Sequence, residues 1–207
     1  MTGRKMLRAS ALVLGSLAFM TTVQADEAKS KAMPYAGVSV GQSIVTDFCD
    51  DLEPLSCDDK SLAVRAYFGA SFSEYIGGEV GFTFVDDVEA SGSAFGASAS
   101  LASGYQAFDG TMLFGTSRDN DFRLFAKAGI VAWNYDSKGY ISGSGMMIVG
   151  DEEESGVSFR TGLGALYNVT DNVSVRLDWD FIPDIGDDET TGETDLHILS
   201  VGPQFRF

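Results

Sequence analysis

Phe159-Arg-Thr-Gly-Leu-Gly-Ala-Leu-Tyr-Asn-Val-Thr-Asp-Asn-Val-Ser-Val-Arg-Leu-Asp-Trp-Asp-Phe181 changes character at every second residue. Phe159, Thr161, Leu163, Ala165 and Tyr167 fall on one side, and Arg160, Gly162 and Gly164 on the other. After Asn168-Val-Thr-Asp171 the alternation resumes, with Val173, Val175, Leu177, Trp179 and Phe181 set against Arg176 and Asp178. A β-strand points successive side chains to opposite faces, so period two is the signature of strands with one apolar face. Asn, Thr and Asp between two such runs supply the chemistry of a tight turn. The Asn168-Val-Thr170 match to a glycosylation pattern is read the same way.

The same alternation recurs along the chain, at 35–43, 61–70, 75–86, 105–115, 122–135, 156–168, 172–182 and 196–207. One face carries Val38 and Val40, then Leu62, Val64 and Phe68, then Val80, Phe82 and Phe84, then Phe108 and Met112, then Leu124 and Ile130, and finally Leu199, Val201, Pro203, Phe205 and Phe207. None of its positions is Asp, Glu, Lys or Arg, although charged residues make up 21% of the chain. A charge facing lipid at mid-membrane costs roughly 2–4 kcal/mol, so a lipid-facing surface should be empty of them. The other face holds Arg65, Glu79, Asp109, Lys127, Arg160, Arg176 and Asp178, interleaved with glycines such as Gly37, Gly69, Gly81 and Gly129. In a small barrel these residues point into a narrow interior, where charges must be paired. That predicts a lumen filled by a charge network, with no wide water channel.

Alternation alone also fits a soluble β-sandwich with its apolar face inside. Three features favour the membrane. Connections alternate between short turns, at 71–74, 116–120 and 168–171, and longer stretches at 44–60, 86–104, 136–155 and 183–195, read as loops. Aromatics gather at both strand ends, as interfacial girdles do. The chain closes on Phe207 after apolar residues at every second place. The expected fold is an all-β, eight-stranded antiparallel up-and-down transmembrane barrel. Pro203 fits poorly, because it lacks an N–H in a strand paired on both sides, and a bulge would accommodate it.

Arg4, Lys5 and Arg8 precede an apolar run, Ala11 to Met20, and a small-x-small site at Val23-Gln-Ala25. This reads as a secretory signal peptide over 1–25, too short to be a spanning helix. A short segment, 26–34, and the barrel, 35–207, follow. No later stretch is apolar enough for a membrane helix. A formal net charge of −16 speaks against nucleic acid as a partner. In an exported chain the close pair Cys49 and Cys57 is expected to form a disulfide, worth about 2–3 kcal/mol.

Nothing marks an active site. No phosphate loop, metal-ligand spacing or dinucleotide fingerprint appears, so no cofactor is expected. His197 is the one histidine, and Ser200, three residues on, points to the opposite face. Surface features are the acidic runs Asp50-Asp51, Asp151-Glu-Glu-Glu154 and Asp187-Asp-Glu189, and an apolar island, Met146-Met-Ile148, within 140–149. The acidic runs are solvated faces in one reading and divalent-cation sites in another. The island is a contact patch or packs back on the barrel mouth.

Tyr35-Ala-Gly-Val-Ser-Val-Gly41, Phe122-Arg-Leu-Phe-Ala-Lys-Ala-Gly129, the run from Gly162 to Asp178, and Leu199-Ser-Val-Gly-Pro-Gln-Phe-Arg-Phe207 resemble strands of the OmpA-like transmembrane domain family. The Phe48-Cys-Asp to Cys57-Asp-Asp stretch resembles a cysteine-bearing first loop of some members. The resemblance implies the outer membrane of a Gram-negative bacterium, contact with outer-membrane lipid and lipopolysaccharide, and a terminal Phe207 read by the barrel-assembly machinery. It also implies lumen salt bridges at positions matching Arg176 and Lys127. Leu166 stands where an acidic partner can, leaving Asp178, Asp109 or Glu79 to supply the anion. The larger members' peptidoglycan-binding domain is expected to be absent after Phe207, and the barrel to be a monomer. The function expected is non-enzymatic: envelope structure and loop display. An adhesin or partner-binding barrel is the alternative, and a lipid A-modifying enzyme a weaker one.

Overall fold

The computed structural model of the chain describes residues 32–46, 56–94, 97–143, 146–187 and 192–207. They form strands β1 (Met33–Val45), β2 (Ser56–Asp58), β3 (Lys60–Ser71), β4 (Ile76–Ala94), β5 (Ala97–Gly115), β6 (Phe122–Gly143), β7 (Met146–Asn168), β8 (Val173–Asp187) and β9 (Gly192–Arg206). Apart from the three-residue β2, which lies beside β4, each long strand pairs antiparallel with two neighbours. The β1–β9 and β4–β5 pairings close the ring, giving an eight-stranded up-and-down barrel. Closure removes the open sheet edges, whose unpaired backbone groups the hydrocarbon interior of a membrane would penalise.

The uncharged face lies outside. Phe68, Phe82, Phe108, Ile130, Phe159, Leu163, Leu177 and Leu199 are all exposed, and no residue of that face is buried. The charged face turns inward: Arg65, Glu79, Asp109, Lys127, Arg160, Arg176 and Asp178 are each 5% exposed or less. A soluble sandwich would show the reverse. Exposed aromatics mark both borders of the apolar band, with Phe68, Phe114, Tyr167 and Phe205 towards the short turns and Phe84 and Trp179 towards the long hairpins.

The short turns are tied by their own side chains. Thr170 Oγ1 accepts the backbone N–H groups of Asn172 and Val173 at 3.3 and 3.0 Å. Asn168 donates Nδ2–H to the Asn120 carbonyl at 2.9 Å and accepts the Ser174 hydroxyl at 2.7 Å, joining two neighbouring turns.

Much of the other end differs from expectation. The stretches 86–104 and 136–155, expected as loops, are mostly strand: β4 pairs with β5 as far as Ala94↔Ala97, and β6 with β7 as far as Gly143↔Met146. The stretches 44–60 and 183–195 are also shortened by strand at their ends. Outside the lipid both outer residues and turn-forming residues can be small and polar, so Ser91, Ser93, Ser98 and Ser100 keep the backbone ladder without apolar alternation. Pro203 is accommodated without a bulge. The β1–β9 register is the same on either side of it, at Gly37↔Gln204 and Val40↔Val201, and the ladder simply lacks the intervening pairs. The neighbouring Gly202 allows the close approach, since a Cβ there would overlap the Val38 carbonyl oxygen.

The expected signal peptide, 1–25, and Cys49 lie outside the described residues. Cys57 stands in β2 opposite Ala90, its side chain not described, so the expected disulfide lies outside the described residues too.

The inside-out arrangement gives a direct test. Leu163→Arg, on the lipid-facing side of β7, is expected to lower unfolding stability in lipid vesicles by about 2–4 kcal/mol. Ser91→Arg, on the extended hairpin, should change it by less than about 0.5 kcal/mol. Urea titration followed by tryptophan fluorescence measures both.

Candidate functional site: the charged lumen

Eight inward side chains form a closed ring of alternating charge. Arg65 bonds Glu79 Oε1 through Nη1 at 2.9 Å and Asp109 Oδ2 through Nη2 at 2.7 Å. Arg160 continues from Asp109 Oδ1 at 2.7 Å to Asp180 Oδ2 at 2.8 Å. Lys127 Nζ bridges Asp180 Oδ1 at 2.6 Å and Asp178 Oδ1 at 2.7 Å. Arg176 reaches Asp178 Oδ2 through Nε at 2.8 Å and Glu79 Oε2 through Nη1 at 2.7 Å, completing the circuit. Each cation touches two carboxylates and each carboxylate two cations. The members come from β3, β4, β5, β6, β7 and β8, so the ring ties six strands across the lumen.

Neutral groups take up remaining valences. Thr111 donates its hydroxyl to Asp109 at 3.0 Å, Tyr35 donates to Glu79 at 3.3 Å, and Gln204 Oε1 accepts from Arg176 Nη1 at 3.3 Å. The Arg176 guanidinium lies 4.5 Å from the Tyr67 ring centroid and 4.8 Å from that of Phe125. The room comes from missing Cβ atoms. One at Gly81 would stand 2.6 Å from Arg65 Nη2, and one at Gly164 would overlap the Phe125 ring.

Apolar layers lie on either side of the ions. Towards the long hairpins sit Val85, Tyr105, Val131, Trp133, Ile182 and Ile198, all buried in one cluster. Trp133 donates its indole N–H to Ser158 Oγ at 2.9 Å, and Ser158 donates to the Asp184 carbonyl at 3.0 Å. Asp184 has a φ of 54° beside the β8–β9 register shift, so this pair of bonds anchors a left-handed residue. Towards the short turns, Leu113, Phe125 and Leu166 form the second cluster. Leu166, which stands where an acid was conceivable, packs in this layer, and the anions facing Arg176 and Lys127 come from Glu79, Asp178 and Asp180.

All seven charged residues singled out from the alternation lie in the ring. Sequence reading missed Asp180, its eighth member, and Arg123, which is also buried. Asp180 has the parity of Arg176 and Asp178 on the same strand, and that was the available signal. It sits between Trp179 and Phe181, where the strand already reads as interfacial. His197 lies on the outer face, stacked on Trp179 and Phe181 with centroids 5.9 and 4.9 Å away, while Ser200 is buried on the inner face. Among the described residues no group of His, Cys, Asp and Glu is arranged to hold a metal ion. Of the acidic runs, 151–154 belongs to β7 and Asp187 ends β8, whereas Asp50, Asp51, Asp188 and Glu189 lie outside the described residues. Met146, Met147 and Ile148 begin β7, with side chains that are not described.

A closed antiparallel wall, apolar outside and ionic within, defines a transmembrane β-barrel of the bacterial outer membrane. The chain belongs to the family of the OmpA-like transmembrane domain, whose model matches residues 29–207. It is 30% identical to outer membrane protein A of Yersinia pseudotuberculosis, over 96% of this chain and 55% of that protein, so it spans about half the relative's length. Neisserial surface protein A has a similar fold, with a TM-score of 0.56 at 12% identity, covering 84% of this chain and 97% of that one. The attachment invasion locus protein Ail of Yersinia pestis is similar at a TM-score of 0.53 and 16% identity, covering 86% of this chain and 99% of that one. The protein therefore resides in the outer membrane of a Gram-negative bacterium.

Removing one ring member strands two partners in low dielectric. Asp109→Asn leaves Arg65 and Arg160 short of a charge, and Asp180→Asn does the same to Lys127 and Arg160. Each is expected to cost about 3–5 kcal/mol, whereas exposed Asp58→Asn should cost nothing measurable. The temperature at which the compact band converts to the unfolded band in electrophoresis reads the difference.

Proposed function

We propose that the barrel is a non-enzymatic structural element of the outer membrane, sealed by its ionic ring and presenting extended hairpins at the cell surface. The observation that carries this reading is the ring itself. Its charges are spent on one another, with apolar layers above and below, which suits a rigid, non-conducting plug rather than a channel or a catalytic cleft. The placement of His197 among aromatics on the lipid side, away from Ser200, supports the non-enzymatic reading over lipid A chemistry. The barrel acts as a monomer, enters the membrane through the barrel-assembly machinery with Phe207 as part of its signal, and meets lipopolysaccharide around its upper rim.

A second reading, attachment to a partner, is favoured by the hairpins β4–β5 and β6–β7, which carry pairing well past the last lipid-facing aromatics. A protein of similar fold is named for attachment and invasion. Loops and hairpin tips on a rigid scaffold are where such contacts reside.

The two readings separate in a strain lacking the gene. A barrel with 88–101 and 138–151 each replaced by a two-residue turn should migrate as a folded, heat-modifiable species and restore resistance to detergent and EDTA. Failure to restore it, with folding intact, overturns the structural reading. Loss of surface attachment alone assigns the hairpins the second role.

A further inference from the structure

The inner face carries one cation more than the ring can use. Among the described residues the buried cations are Arg65, Arg123, Lys127, Arg160 and Arg176, and the buried acids are Glu79, Asp109, Asp178 and Asp180. All four acids are taken, each by two members of the ring. Arg123 is left over. It is 7% exposed, its Nε has no hydrogen-bond partner, and its Nη2 donates to the Tyr75 carbonyl over a long 3.4 Å. The Phe125 ring lies 5.9 Å away and belongs to the apolar layer that separates Arg123 from the ring's carboxylates.

A second guanidinium stands beside it. Arg118 Nη1 reaches the Ser71 carbonyl at 3.5 Å, so the two arginines grip carbonyls at opposite ends of the same four-residue turn, 72–75. Arg118 Nε also lacks a hydrogen-bond partner, and its nearest carboxylate, the exposed Asp119, is 3.7 Å away. The turns at this end also carry Glu74, Asp119, Asp121 and Asp171, all at exposed positions, so the unmatched positive charge is local to the buried Arg123 side chain and is not a property of the whole rim. The short turns of outer-membrane barrels face the periplasm. A buried guanidinium without an anion is costly, and its planar donor fork matches a carboxylate or a phosphate.

We propose that the periplasmic mouth of the barrel, at Arg123 and Arg118, binds a single oxyanion, a phosphate or a carboxylate. The site is distinct from the ionic ring, which stays closed whether or not the mouth is filled. It goes beyond the structural reading above and does not depend on it.

The test uses the nitrogen-15-labelled full barrel, refolded in lauryldimethylamine oxide, a detergent with neither phosphate nor carboxylate. Potassium phosphate, potassium acetate or potassium chloride is added at constant ionic strength, and short-chain phosphatidic acid is doped into the micelles in a separate arm. The Arg123 Nε–H signal is expected to shift saturably with phosphate or acetate. A midpoint of about 1 mM is what two charge-assisted hydrogen bonds supply. A response to phosphatidic acid alone identifies a lipid headgroup as the source of the same chemistry. Arg118→Gln, at a partly exposed position, should weaken the midpoint several-fold, and Arg123→Lys about tenfold, both with heat-modifiable migration retained. A shift that is linear, equal with chloride, or unchanged in both variants overturns the proposal.

Discussion

A charge inside a narrow, lipid-wrapped cylinder has no water to fall back on. It is either paired within the wall or destabilises the fold by several kcal/mol. The interior of this barrel meets that constraint with a circuit in which Arg65, Arg160, Lys127 and Arg176 alternate with Asp109, Asp180, Asp178 and Glu79. Because the partners sit on six different strands, the ring fixes the strands' relative positions as well as their inward faces. A slip of one residue in any of them would carry its ionic side chain into lipid and leave two partners bare. Buried ion pairs do not by themselves guarantee stability, but they penalise wrong registers heavily.

The surrounding features follow from housing such a ring in small space. Glycines on the inner wall leave volume for the guanidiniums, as Gly81 does for Arg65, and aromatic rings from Tyr67 and Phe125 cover the flat faces of Arg176. The apolar layers above and below exclude water and so strengthen the electrostatics between them. Outside, the same strands present only uncharged residues. The lipid and the ring thus sort one strand's alternate residues in opposite directions.

The two ends of the barrel differ in kind. At one, hydrogen-bonded turns such as 168–172 keep connections short, and the Nε groups of Arg118 and Arg123 lack a hydrogen-bond partner. At the other, strand pairing runs on past the membrane, and Trp133, Ile182 and Leu196 give it a core of ordinary hydrophobic character. That end is built like part of a water-soluble β-barrel resting on a membrane one, which is why it tolerates the acidic run 151–154 on β7.

Sequence alone determined which residues face lipid and which face inward, because parity along a strand is local and the cost of a lipid-facing charge leaves a visible record. It also located the short turns, through Asn168, Thr170 and Asp171. It did not determine which charges pair. Arg176 meets Glu79 across 97 residues of chain, and only the barrel's register brings β8 and β4 to facing positions. Nor did it reveal that β4 to β7 continue beyond the membrane, since small polar residues such as Ser91 and Ser100 pair their backbones in water without needing an apolar face. Asp180 had the right parity but gained its meaning only when the ring closed through it. Facing is a property of one strand, and partnership is a property of the closed cylinder.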